Sequence, residues 1–348
     1  MNIAVLGAGA LGSLFGGYLA RTGHRVTLIG RNNAHMQAIR EQGLKITGVR
    51  GAHQVTENLQ AVWEPSAVRD ADVLILSVKA SDTEQALESV SHLVGRVQTV
   101  MSLQNTLVKD SLLIAAFGSE ATLGASTIEG AAMPAPGHVH NTITVPTTLY
   151  LGEHGGETST RLTALADAFN AAGLGTKAVP CIKQVQWEKL AQICLTNAFS
   201  VPALAGLPRA SMQDAQALRE GAELYAELAR ELLGVYGGLG YAPEDFFAPL
   251  SRFKELVGLE HEAAVELLLA RAVARLRDVK PGPPIRSSLF GDLERGRRTE
   301  VVQIFTPFLE EADRQGRDVG ALRAAYRNIR VMEALAMRDG GLNQRGGA

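Results

Sequence analysis

Asn2-Ile3-Ala4-Val5-Leu6-Gly7-Ala8-Gly9-Ala10-Leu11-Gly12 is the stretch whose reading decides the fold. Residues 2–6 form a short apolar run that meets glycine at once. A helical pattern follows from Leu11 to about Arg21 and stops at Thr22-Gly23, and a second β-branched run occupies residues 25–29. Strand, helix and strand within about thirty residues make a βαβ unit, whose crossover forces a parallel sheet. Further buried strands are predicted at residues 73–78, 99–103 and 121–126, because continuous apolar runs suit central strands covered on both faces.

Gly7, Ala8, Gly9, Ala10, Leu11 and Gly12 spell G-x-G-x-x-G at the turn from the first strand into the first helix. Glycines alone mark many turns, but at this turn they let backbone approach a pyrophosphate, and the helix N-terminus supplies N–H donors and a favourable dipole. The N-terminal half is therefore predicted to be an α/β Rossmann domain that binds a dinucleotide. A site built for NAD carries an acid near the end of the second strand to accept from the ribose 2′-hydroxyl. Here the sequence is Gly30-Arg31-Asn32. A guanidinium without a nearby acid suits the 2′-phosphate of NADP, although Arg31 also reads as a solvated surface charge. Lys79, just past the strand at 73–78, fits a cofactor ligand at the carboxyl edge of the sheet and a solvated lysine equally well.

A chain of 348 residues with 46% hydrophobic content exceeds the size at which one core stops growing, so two domains are expected. Lys plus Arg number 34 against 36 Asp plus Glu, which leaves no field to attract nucleic acid or an anionic membrane. Cys181 and Cys194 are too few for a disulfide framework and lack histidines at zinc-site spacing, so they read as reduced thiols and no metal is expected. The N-terminus has no basic n-region or cleavage site, and the protein reads as cytoplasmic.

Residues 139–152 hold two extended stretches separated at Pro146, expected to pair as an antiparallel extension of the sheet. A helix over 159–172 and a strand near 176–179 close this region. From Ile182 strand signals nearly vanish, and helices are predicted over 214–235, 253–277 and 298–314. These signals give a Rossmann domain over 1–180, a helical domain over 181–335 and a disordered tail over 336–348. Lys280-Pro281-Gly282-Pro283-Pro284 must be a loop, since proline removes a donor and restricts its predecessor.

Trp187-Glu188-Lys189-Leu190 begins a helical run in which Lys189, Ile193 and Asn197 share one stripe. With these residues in view the chain resembles the 2-dehydropantoate 2-reductase (ketopantoate reductase) family from Met1 to about Glu333. The resemblance rests on the glycine turn with Arg31, on Val78-Lys79-Ala80, on Gln104-Asn105, on Trp187-x-Lys189-Leu190 with Asn197 downstream, and on Ser287-Ser288 followed by Thr299-Glu300. It implies that Lys189 is the catalytic lysine and Glu300 its acidic counterpart. It implies also that Asn105, Asn197 and Ser288 contact the substrate, with Asn105 near the nicotinamide as well, and that Arg31 and Lys79 hold the adenosine phosphate. The family fold is a Rossmann domain followed by an all-helical domain, with the active site in the cleft between them; a homodimer through the helical domain rests on analogy alone.

The chemistry matches these residue types. Hydride delivery from NADPH to a ketone leaves charge on oxygen, which calls for a preorganised proton donor, and Lys189 can be that donor. Neutral Ser288, Asn105 and Asn197 can fix a carboxylate and a hydroxyl without disturbing the lysine. On one straight helix Ser288 and Glu300 would lie about 18 Å apart, too far for a small oxo acid, so the helix must break, near Arg295-Gly296-Arg297. Thr106, Ile193 and Gly291 depart from the family pattern at Gly, Asn and Gln positions. All three lie around the substrate, and Ile193 predicts a more apolar pocket and a 2-oxo acid with fewer hydroxyls. Three functions follow: reduction of 2-dehydropantoate to pantoate with NADPH, reduction of another branched or aromatic 2-oxo acid, or non-catalytic NADP sensing. His138 and His140, at alternate positions of a strand, face one side and are assigned no role.

Overall fold

The computed structural model describes residues 1–277 and 286–342, so the loop expected at 280–284 and the end of the expected tail lie outside the described residues. Two compact units emerge, one comprising Met1–Lys189 with Phe246–Leu250, the other comprising Leu190–Asp245 and the described residues from 251 onward.

The first unit is built on a five-stranded parallel sheet. In chain order its elements are β1 (Asn2–Leu6), α1 (Ala10–Arg21), β2 (Arg25–Ile29), α2 (Ala34–Gln42), β3 (Leu44–Gly48), β4 (His53–Val55), β5 (Leu59–Val62), β6 (Ala71–Leu76), α3 (Thr83–Ser89), β7 (Val97–Ser102) and α4 (Lys109–Phe117). They continue with β8 (Gly124–Thr127), β9 (Gly130–Ala135), β10 (His138–Ile143), β11 (Leu149–Gly152), α5 (Thr160–Ala171) and β12 (Thr176–Ala178). The parallel sheet has the order β5-β2-β1-β6-β7. Alternate residues of β1 enter opposite cores: Ile3 and Val5 pack with Val26, Leu28 and Ile75, whereas Ala4 and Leu6 pack with Ile29, Leu74 and Val100. Burial on both faces is why these strands read as unbroken apolar runs. The chain leaves β1 on one side and β6 on the other, so the turns after their carboxyl ends flank the switch point where ligands of open α/β sheets bind.

The expected pairing of the two stretches around Pro146 does not occur. Strand β10 lies between β9 and β3 in a four-stranded sheet ordered β4-β3-β10-β9, and β11 lies between β12 and β8 in a separate three-stranded sheet. Each stretch has both edges occupied by another partner, so neither has a free row of backbone groups to offer the other.

Helix α6 (Ile182–Leu204) follows β12, and the division between the two units falls within it, after Lys189. The second unit continues through α7 (Met212–Gln216), α8 (Arg219–Gly238), α9 (His261–Arg277), α10 (Ser288–Glu294), α11 (Val301–Gln315) and α12 (Gly320–Asp339). The single helix expected over 214–235 is two. Ser211 and Asp214 form a capping box that starts α7, and Leu218 is extended (φ −90°, ψ 143°), which breaks the run before α8. The helix expected from 253 begins only at His261, because the Asp245 carboxylate accepts the backbone N–H groups of Phe253 and Lys254 at 2.6 and 3.2 Å and holds that segment in turns. Nor does order end at 335, for α12 runs to Asp339. Beyond it Gly341 packs so closely on the backbone at Glu294 that a Cβ would stand 2.3 Å from the Glu294 carbonyl oxygen.

Between α10 and α11 the helix breaks where chain geometry required it. Gly296 adopts φ +63°, and a Cβ there would come within 2.6 Å of Gly340. The Glu231 carboxylate accepts from the N–H groups of Ala321 and Leu322 at 3.0 and 2.8 Å, which caps the first turn of α12 from α8.

Candidate active site

The turn after β1 has the geometry its glycines predict. Gly7 adopts φ +105°, and a Cβ there would lie 2.7 Å from the backbone of Ser77 and Val78, so the turns after β1 and β6 touch and only glycine fits. A Cβ on Gly12 would stand 2.2 Å from the Gly7 carbonyl oxygen, which explains the third glycine as a packing requirement. Gly9 is different: a Cβ there would meet nothing within 4 Å. Gly9 is also the N-cap of α1, and no side chain caps that helix. Space is therefore open beside the uncapped start of α1, where a helix N-terminus can receive an anion, and the turn fits a dinucleotide pyrophosphate.

Arg31 follows Gly30 at the end of β2 and is exposed, with no acidic side chain between Gly30 and Asn32. Lys79, likewise exposed, caps the short turn that follows β6. That turn is held from β7: the Gln104 amide donates to the Val78 carbonyl at 2.9 Å and to the Thr83 hydroxyl at 2.7 Å, and its oxygen accepts from Ser102 Oγ at 3.0 Å. Gln104 is visible in the sequence, but this bracing role is not.

Asn105 and Lys189 come together in the first unit. Lys189, only 5% exposed on α6, donates from Nζ to Asn105 Oδ1 at 2.5 Å. Its neighbour Glu188, 1% exposed, accepts from the Phe246 backbone N–H at 3.0 Å, and Tyr150 donates its hydroxyl hydrogen to the Phe246 carbonyl. Tyr150 also packs edge-on against Phe246 and Phe247 with ring centroids 5.3 and 5.0 Å away, so the returning segment Phe246–Leu250 is clamped beside the helical turn that bears Lys189. Burial pushes the Tyr150 hydroxyl above its ordinary range, which keeps it a donor. One turn before Lys189, the Gln186 amide donates to Asp110 Oδ2 at 2.7 Å.

In the second unit Asn197 is buried and committed to its own surroundings. Its amide N–H donates to the Ile193 carbonyl at 2.8 Å, and its oxygen accepts from Ser287 Oγ at 2.7 Å. Ser287 in turn caps α10 by accepting from the Phe290 N–H at 3.2 Å. Asn197 therefore sets the start of α10, where Ser288 is exposed as the first helical residue. Half-buried Glu300 is the N-cap of α11. Thr299 just before it is fixed by Glu333 Oε1, which accepts from both its N–H and its hydroxyl at 2.7 Å. No pattern in the sequence marks Glu333 for this, since it is one acid among many on α12.

His138 and His140 do share a side, and both ring systems bond the Thr47 hydroxyl, at 2.7 and 2.9 Å. Cys181 and Cys194 are free thiols, and complete burial holds the Cys194 thiol well above its usual range. Among the described residues no helix is long and apolar enough to cross a membrane.

A parallel sheet wound about a glycine turn, with a buried lysine and amide in contact beyond the strand β7, defines the class as a dinucleotide-binding oxidoreductase. Within it the chain belongs to the ketopantoate reductase PanE/ApbA family, matching the family over residues 3–156 and its C-terminal domain over residues 181–333. A 2-dehydropantoate 2-reductase of Halobacterium salinarum is 28% identical over 340 residues, covering 98% of this chain and 100% of the relative. That of Pyrococcus abyssi is 38% identical over 189 residues, covering 54% of this chain and 60% of the relative. Among solved structures, a PanE/ApbA family ketopantoate reductase from Ralstonia eutropha JMP134 superposes with a TM-score of 0.75 at 27% identity, covering 97% of this chain and 100% of that one.

Proposed function

We propose that the protein reduces the ketone of 2-dehydropantoate to the alcohol of pantoate with NADPH, the step that feeds pantothenate synthesis. The single observation that carries this reading is the contact of Lys189 Nζ with Asn105 Oδ1. The partner at that contact is a neutral amide oxygen, which orients the Lys189 side chain without taking its proton. With its oxygen turned toward Lys189, the Asn105 amide keeps two N–H donors on its other end, which suit a substrate carboxylate.

A nicotinamide held by the glycine turn would supply hydride to the carbonyl carbon, leaving the C=O π pair on oxygen. Lys189 gives its proton to that oxygen, so ketone, NADPH and H⁺ become alcohol and NADP⁺. Glu300 is assigned as the acidic counterpart of Lys189, and Ser288 as a substrate donor, on the family resemblance. Asn197 is assigned as a substrate contact on the same resemblance, and it also sets the start of α10. The glycine turn takes the pyrophosphate, while Arg31 and Lys79 take the adenosine phosphate. NADP is preferred over NAD because the end of β2 offers a guanidinium and no acid.

A second reading is favoured by half-buried Ile193, one turn after Lys189. An apolar side chain there suits a bulky 2-oxo acid with fewer hydroxyls. NADPH oxidation measured with ketopantoate and with its deoxy analogue 2-oxo-3,3-dimethylbutanoate separates the two. A preference for ketopantoate by orders of magnitude in kcat/KM supports the first reading, and comparable turnover of the analogue supports the second.

A further inference from the structure

We infer that Lys109 is a positioning residue for the reaction: its buried ammonium, donating to the carbonyls of Ser102, Gln104 and Ala125, sets where Asn105 stands against Lys189. The inference rests on the reading that Asn105 and Lys189 serve the substrate.

Lys109 opens α4 and is only 2% exposed. Both features oppose a cation, because burial strips its water and a helix N-terminus carries the positive end of the dipole. Burial accordingly pushes its pKa down to about 8, with Asp110 acting in the opposite sense. The ammonium nevertheless finds three acceptors for its three hydrogens: Ser102 O at 3.1 Å, Gln104 O at 3.0 Å and Ala125 O at 2.7 Å. Ser102 ends β7, Gln104 immediately precedes Asn105, and Ala125 lies on β8. The ammonium thus pins the turn that presents Asn105 to a neighbouring strand, while the Gln104 side chain pins the same turn to Val78 and Thr83.

Both partners of the Asn105–Lys189 contact are reached by this network. The Ala125 carbonyl that accepts from Lys109 also accepts from Gln186 Nε2 at 3.3 Å. That amide nitrogen also donates to Asp110, the residue after Lys109. Gln186 stands one turn before Lys189 on α6, so the start of α4 ties together the asparagine turn and the lysine helix. Asp110 is the charged group beside Lys109, and His154 Nε2 approaches Asp110 Oδ2 at 3.7 Å. The contacts with Lys109 from β7 and β8 are backbone carbonyls. A methionine in place of Lys109 would fill similar space, remove the ammonium from the carbonyls of Ser102 and Gln104, and leave the Ala125 carbonyl to Gln186.

The test uses the full chain as wild type, Lys109→Met, Asn105→Ala and the double variant. We measure kcat, KM for NADPH and the 2-oxo acid, and hydrogen exchange of residues 102–106. Displacing a reacting group by about 1 Å can cost on the order of 100-fold, so Lys109→Met is expected to lower kcat about 10- to 100-fold with KM for NADPH within about twofold. In the Asn105→Ala background it should add less than about a twofold loss, because its effect passes through Asn105. Exchange at 102–106 should rise while β1 and β6 keep their protection. Multiplying losses in the double variant, wild-type kcat in Lys109→Met, or unchanged exchange at 102–106 each overturns the inference. If Lys109→Met does not fold, Lys109→Gln, which keeps two N–H donors, carries the same comparison with a smaller expected loss. A wild type that turns over no 2-oxo acid overturns the proposed function instead, and the exchange measurement then decides the positioning role by itself.

Discussion

Replacing Gly9 and Gly12 by alanine, one at a time, separates a cofactor turn from a merely structural one. At Gly9 the backbone (φ −79°, ψ −167°) suits any residue, and a Cβ meets nothing within 4 Å. The folded apoprotein therefore accommodates Gly9→Ala, and only the poorer N-cap counts against it, about 1 kcal/mol. At Gly12 the added carbon lies 2.2 Å from the Gly7 carbonyl oxygen, a backbone atom that cannot swing aside, and overpacking of this kind costs about 1–3 kcal/mol or more. Binding responds in a different order. If the pyrophosphate occupies the space that Gly9 leaves open, the methyl displaces it from one or two charge-assisted N–H bonds worth about 1.5–3 kcal/mol each, so NADPH affinity falls at least about 10-fold. Urea unfolding of the apoproteins and calorimetric titration with NADPH read the two effects separately. The reasoning fails if Gly9→Ala binds NADPH within about twofold of wild type, or if it destabilises the apoprotein as much as Gly12→Ala.

Arg31→Ala should weaken NADPH about 10- to 100-fold and leave NADH within about twofold, since the guanidinium is assigned to the 2′-phosphate alone; equal losses with both cofactors would remove that assignment. Lys109 also makes stability depend on pH. Its folded pKa, about 8, lies below the ordinary 10.5, so between these values the unfolded chain binds more protons and stability rises with pH. The penalty is fully present below pH 8 and is relieved by pH 10.5, a gain of order 3 kcal/mol that Lys109→Met lacks. Urea unfolding at pH 7.5 and pH 10 should show wild type gaining on the variant, and parallel behaviour would contradict it.

Where local pattern and global burial agree, the fold was legible. Strands β1, β2, β6 and β7 are apolar because both their faces are covered, and the glycine turn is confined to the sequence that its contacts demand. The break between Ser288 and Glu300 followed from helix rise together with the site roles that the family resemblance implied, and Gly296 makes it. Strand β9 was not foreseen, since Gly-Ala-Ala-Met-Pro-Ala has poor strand propensity and becomes extended only by pairing with β10. That same hairpin consumed the edge on which the expected pairing around Pro146 depended. In the candidate site, Lys189 and Asn105 stood out through the family resemblance, and their contact is local to the first unit. Lys109, Gln186 and Glu333 did not, because a lysine at a helix start and acids or amides along a helix are usually solvated. Their roles exist only once β7, β8 and the facing helices bring backbone carbonyls and N–H groups to them.

The central claim is that the Lys189 ammonium protonates the ketone oxygen as hydride arrives. Single-turnover consumption of enzyme-bound NADPH on addition of ketopantoate, in wild type and in Lys189→Ala, tests it without product release intervening. Removal of a positioned proton donor should slow the chemical step about 10²- to 10⁴-fold while NADPH remains bound. A Lys189→Ala enzyme that consumes NADPH at the wild-type rate would contradict the account.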